Sequence, residues 1–157
     1  MSTTANARVE QSSVTKPPTL TPGNISPEAL REFKYACESY HKHKDIAAMD
    51  QTRMITDGFQ DPRVREWVRA RRDFYEALPF EDFLVLFGRR WLQPGWELRV
   101  SNALLNSQQG SRPFAEWQVE MTSKNTLLVD TPSYLDDAAM RRKLSAGMNV
   151  DLGVEVH

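Results

Sequence analysis

The sequence predicts an all-α protein of about seven helices, and three observations carry that expectation. Apolar residues recur at i, i+3, i+4 and i+7 in most segments. Helix-start signals head successive runs, as in Ser26-Pro27, Asp61-Pro62 and the prolines at 79 and 113. Outside the terminal "VDLGVEVH", nothing resembles a strand, and no internal repeat is evident.

The elements follow in order. Residues 1–24 combine Ser, Thr, Pro and Asn with few large apolar groups, which predicts a disordered tail. The first helix starts at "ISPEALREF": Ser26 caps, Pro27 fits the first helical position, and Glu28 suits the positive end of the dipole. Leu30, Phe33, Cys37 and Tyr40 form its apolar stripe. A second helix is expected over 47–57, with Ala48, Thr52, Ile55 and Phe59 on one side and Gly58 as a left-handed stop. "QDPRVREW" opens a third, in which Val64, Trp67, Val68, Tyr75 and Leu78 recur until Pro79 breaks the pattern.

The fourth helix, "PFEDFLVLFGRRWL", carries Phe80, Phe83, Leu84, Phe87 and Trp91 and reads as the most buried element. "QPGW" ends it, and a fifth holds Trp96, Val100 and Leu104 in register. Residues 106–112 read as a loop, 113–128 as the sixth helix, and "DTPSYLDDAAMRRKLSAGM" as the seventh, with Ser133 and Asp136 fitting a capping box.

At 157 residues the chain is long enough for one compact domain or two small lobes, and too short for a multidomain enzyme. Twenty basic against twenty-one acidic residues leave a net charge of -1, so no global field draws it onto nucleic acid or lipid. The single cysteine, Cys37, excludes a disulfide framework and a multi-cysteine zinc site, and suits a reducing compartment. The N-terminus lacks an apolar signal region, and no run approaches the roughly 20 apolar residues that span a bilayer. A cytoplasmic protein with no membrane contact is expected.

Catalytic chemistry finds little support. Cys37 and His41 lie one helical turn apart, but His43 points elsewhere and the remaining histidine is His157, so no metal set of three or four ligands is expected. No nucleophile elbow or phosphate-binding glycine loop occurs, and Glu81-Asp82 and Asp136-Asp137 sit in first turns where the helix dipole accounts for them. No catalytic residue, cofactor or small-molecule substrate is expected. The sharpest charge feature is "RVREWVRARR", which places Arg65, Arg69 and Arg72 on one face as a candidate nucleic-acid-binding surface. Glu66, Asp73 and Glu76 interrupt it, and a solvated face is the competing reading. The four tryptophans fall on apolar stripes and read as core.

The pieces "ALREFKYACESYHKHKDI", "FQDPRVREWVRA", "LPFEDFLVLFGRRWLQPGWE" and "TPSYLDDAAMRRKL" resemble, in that order, the capsid region of Gag from LTR retrotransposons, especially gypsy-class elements of fungal genomes. "QQGSRPFAEW" resembles the major homology region of retroviral capsids, where a Gln-Gly turn precedes a helix bearing Phe and then an aromatic. Gln109, Gly110, Phe114 and Trp117 take those places. The spacing is one residue shorter, and Glu120 stands about where that region has a basic residue, so the apolar half of the motif is what the resemblance implies here.

The resemblance implies a capsid-like N-terminal lobe at 26–106 and the start of a C-terminal lobe at 107–157. Family members continue into further helices and often a zinc-knuckle nucleocapsid, protease and reverse transcriptase, so the chain is expected to be a fragment or a shortened, domesticated remnant. It further implies a non-enzymatic structural protein that acts as a homo-oligomer. Two alternatives stay open: an RNA-binding adaptor using Arg65, Arg69 and Arg72, and a non-assembling interaction protein that interferes with capsid assembly.

Overall fold

The structure, a computed structural model, describes residues 5–149. The expected strand-like end at 150–157, and His157 with it, lie outside the described residues. Seven α-helices and one two-stranded sheet are present among those described. The chain divides between Gln93 and Pro94 into two compact units.

The first unit begins with a hairpin in place of the expected tail. Strands β1 (Val9–Glu10) and β2 (Thr19–Leu20) pair antiparallel, Val9 opposite Leu20. Flanking bonds extend the pairing: Ala7 N donates to Asn24 O at 2.8 Å, Thr21 N to Arg8 O at 2.9 Å and Gln60 N to Leu20 O at 3.0 Å. Composition misleads here because few apolar groups are needed. Ala7 and Leu20 enter the core with Ile25, while the backbone bonds to itself. Gly23 (φ +133°) is forced by a close approach, since a Cβ there would stand 2.1 Å from Ala5 O.

Helix α1 (Pro27–His43) starts as expected, with Ser26 Oγ accepting from Ala29 N at 3.0 Å. It buries Phe33, Cys37, Tyr40 and His41. The expected second helix is instead two 3₁₀ turns, Ala48–Asp50 and Thr56–Gly58. Its threonines are drawn inward by acceptors of their own: Thr52 Oγ1 donates to Leu78 O at 2.7 Å and Thr56 Oγ1 to Glu76 Oε2 at 2.6 Å. Gly58 is absent from the left-handed region; it is small because a Cβ would lie 2.3 Å from Pro18 O.

The expected third helix is two, α2 (Pro62–Ala70) and α3 (Arg72–Glu76), broken at Arg71 with φ -141° and ψ 42°. Asp61 caps α2 and accepts from Gly23 N at 3.3 Å, tying the hairpin's exit to the helix. Helix α4 (Phe80–Trp91) buries Phe80, Phe83, Leu84 and Phe87. Phe59 lies in a ring cluster, stacked on Phe87 at 5.0 Å and tilted on Phe33 at 5.3 Å.

The second unit holds α5 (Trp96–Asn106), α6 (Phe114–Leu127) and α7 (Asp137–Gly147). The expected lobe boundary at 106/107 is therefore displaced, because Leu104 of α5 is buried with Trp117, Met121, Leu128 and Leu144 in one core. Gly95 (φ +79°) makes the turn into α5. The expected Ser133 capping box does not form. Asp136 caps α7 by accepting from Ala139 N at 2.7 Å, while Ser133 Oγ donates to Glu97 at 2.7 Å. Buried Asn125 holds the loop before α7 by two bonds: its Oδ1 accepts from Leu135 N at 2.8 Å and its Nδ2 donates to Leu135 O at 2.9 Å.

Candidate functional site

The Gln-Gly turn lies inside the second unit, between α5 and α6. Gly110 takes φ +61°, which a side chain resists, and the chain enters α6 at Pro113. The first turn of α6 places Phe114 edge-on to Trp117 at 5.9 Å, and Trp117 is fully buried. Its indole Nε1 donates to Ser107 Oγ at 3.0 Å, so the ring's one polar atom is satisfied inside the core.

A polar network closes around this turn. Gln109 is buried; its backbone N donates to Gly147 O at 3.0 Å and its side-chain Nε2 to Arg112 O at 2.9 Å. Its Oε1 accepts from Asn149 N at 3.1 Å, and Asn149 Nδ2 donates to Gly110 O at 3.0 Å. Lys143 Nζ donates to Ser107 O at 2.7 Å. The first part of the α5–α6 loop, Ser107 to Gly110, is thus bonded to α7 and to Asn149 just beyond it.

Arg112 organises the outer side. It donates to Gln109 O at 3.2 Å and Gln108 O at 2.7 Å and forms an ion pair with Glu120. Glu120 also faces Lys124 at 3.9 Å. The acid at 120 does not leave the turn without a charge pair: the base comes from Arg112, eight residues earlier. Gly147 completes the arrangement, because a Cβ there would lie 2.8 Å from Trp117 Cη2 and 3.2 Å from Ser107 O.

Gln109, Gly110, Phe114 and Trp117 are therefore brought together. Sequence reasoning missed Ser107, Arg112, Lys143, Gly147 and Asn149. One signal was available: an indole N–H on an apolar stripe requires an acceptor, and Ser107 stands ten residues before Trp117. Chemically the arrangement is a latch. Its amides, guanidinium and carboxylate bond to one another and to backbone.

Arg65, Arg69 and Arg72 do not form one helical face, because the chain breaks at Arg71 between α2 and α3. Arg72 is paired with Glu76 at 3.0 Å and Asp57 at 3.6 Å, and Arg69 lies 3.9 Å from Glu66. Arg65 is exposed. Arg71 lies over the Phe74 ring at 4.0 Å. An arginine already paired with a carboxylate has less to gain from a phosphate.

Cys37 is fully buried, and burial pushes its thiol above the usual range. His41 is buried edge-on to Phe80, with Nε2 donating to Gln51 O at 2.9 Å; desolvation lowers its pKa, against smaller opposing effects of that bond and of Glu38. His43 is exposed and donates from Nδ1 to Ser39 O at 2.8 Å. Among the described residues no group of three or more His, Cys, Asp or Glu is placed to hold a metal, and no helix is long and apolar enough to cross a membrane. Set against protein-family models, curated proteins and solved structures, the chain matches none.

Proposed function

We propose that the chain is a capsid-type structural protein of the Gag class of gypsy-like LTR retrotransposons, working by self-association of its helical units and not by catalysis. The observation that supports this reading is the latch around Gln109: a Gln-Gly turn leads into an aromatic helix start and is fixed by a buried polar network. The family region it resembles joins the same kinds of residue in the same order, and the charge pair is supplied here by Arg112 and Glu120.

The physical argument concerns rigidity. A protein that assembles through repeated weak contacts gains from units that do not deform at each contact, because ordering a loose surface on association costs entropy. A turn bonded to the end of α7 presents α5, α6 and α7 as one pre-ordered body. With a net charge of -1, copies carry little mutual repulsion.

The test is size-exclusion chromatography with light scattering, followed by electron microscopy, at rising protein and salt concentration. The expected result is a mass that climbs with concentration and closed or ordered particles at the upper end. A protein that stays monomeric throughout overturns the reading.

A further inference from the structure

Helix α5 has two unlike sides. Leu104 is fully buried, and Trp96 and Val100 pack on the same core. On the other side, Leu98, Asn102 and Leu105 stand at i, i+4 and i+7 and face solvent, Leu98 being 64% and Leu105 50% exposed. Two large apolar residues on one exposed stripe of an eleven-residue helix are unexplained by the fold of the unit.

We propose that this stripe docks a second copy of the chain, with α5 crossing its symmetry mate at Asn102. The proposal rests on the self-association reading and names its contact surface. Both charges of the helix are engaged within the unit: Glu97 accepts from Ser133 Oγ at 2.7 Å and Arg99 Nη1 donates to Pro94 O at 3.0 Å. The stripe itself is uncharged, so it offers no electrostatic handle to a polyanion or a charged peptide.

Its one polar group is an amide, at once donor and acceptor. Across a two-fold axis an asparagine meets its own copy, and each amide N–H finds the other's carbonyl. An antiparallel crossing at that point sets Leu98 of one copy against Leu105 of the other, so the stripe is complementary to itself. A single buried asparagine between leucines is also the device that fixes register in paired helices.

Area sets the strength. A stable pair buries about 800 Å² on each partner. Two partly exposed leucines and one asparagine supply a fraction of that, so one α5 contact is weak and gains weight through repetition.

The experiment is sedimentation velocity on the full chain, wild type against Leu98→Glu/Leu105→Glu. Both side chains lie outside the core, and circular dichroism checks that the helices persist. Wild type is expected to associate with concentration and the double variant to do so at least about tenfold more weakly. A second measurement uses Asn102→Cys under mild oxidation; Cys37 is fully buried, so the new thiol is the accessible one. Disulfide-linked dimer is expected, and none from Ala115→Cys on α6.

A double variant that associates like wild type overturns the α5 contact and leaves self-association standing. Failure of Asn102→Cys to cross-link while wild type associates has the same consequence. Wild type that remains monomeric at every concentration overturns both.

Discussion

The two units solve the problem of a small core in different ways. In the first, Phe59 contacts Phe33, Phe83 and Phe87, Phe83 contacts Phe87, and Trp67 touches Tyr75, Phe83, Phe87 and Trp91. Phe59, Phe83, Phe87 and Trp67 each touch several other rings, so no single one of them closes the core. In the second, one large ring, Trp117, sits among Leu104, Met121, Leu128 and Leu144, and polar bonds from Gln109, Asn149 and Lys143 hold the helices around it. Redundant packing tolerates change, whereas a keystone with a latch does not.

The largest expected effect tests the keystone. Trp117→Ala removes the ring and leaves Ser107 without its indole donor, at a cost of roughly 3–5 kcal/mol. Hydrogen exchange should show amide protection lost across α6 and α7 and retained in α1 and α4. A truncation of the same kind in the first unit, Phe83→Ala, should cost clearly less, because Phe59 stays stacked on Phe87 and tilted on Phe33. Equal losses in the two units would break the comparison.

A smaller step refines it. Gly147→Ala brings a Cβ within 2.8 Å of the Trp117 ring and 3.2 Å of Ser107 O. The ring is fully buried and cannot swing away, so helix α7 has to shift, at roughly 1–3 kcal/mol. Thermal denaturation monitored by tryptophan fluorescence reads this, and an unchanged midpoint would mean that the α7 end is looser than the packing implies.

These keystone residues also mark how far the sequence could be read. The helical class and the starts of α1, α2 and α4 were legible because Ser26-Pro27, Asp61-Pro62 and Pro79 act locally, through caps and fixed φ. The N-terminal hairpin was not, because Leu20 pairs with Val9 and bridges to Phe59, contacts that no local pattern announces. The 3₁₀ turns escaped for the same reason: the bond from Thr52 to Leu78 spans 26 residues. At the site, the apolar pair Phe114 and Trp117 was visible at helical spacing. The latch was not, since Asn149 lies 40 residues from Gln109.

Acid should separate the units through the first one. Arg63 beside Asp61 holds that carboxyl down at about 2, from an ordinary 3.8. The stability it contributes is present above 3.8 and lost as pH falls through about 2. His41 behaves in the same direction from a higher start: burial lowers its pKa below 6.5, so the folded state favours the neutral ring, and stability falls as pH drops below that value. Urea midpoints between about pH 7 and 5 should therefore decline in wild type, and decline less in His41→Gln. At neutral pH, Asp61→Ala should cost about 1 kcal/mol as a lost helix cap. An Asp61→Ala chain as stable as wild type would show that the hairpin exit at Gly23 is held by its backbone bonds and packing without that carboxylate.

The smallest effect concerns the charge pair of the latch. The Arg112 and Glu120 side chains are 36% and 37% exposed, so water screens their attraction, and Glu120→Gln should cost no more than about 1 kcal/mol. Arg112→Ala should cost more, because the same guanidinium also donates to Gln108 O and Gln109 O, and those carbonyls lose partners that the glutamate does not supply. The inequality is the informative quantity. If the two substitutions prove equal in urea denaturation, the ion pair holds the turn and raising salt should weaken it. If Arg112→Ala is the costlier, the arginine works chiefly as a clamp on backbone, and the acid at position 120 is a secondary partner in a latch that the turn's own carbonyls already secure.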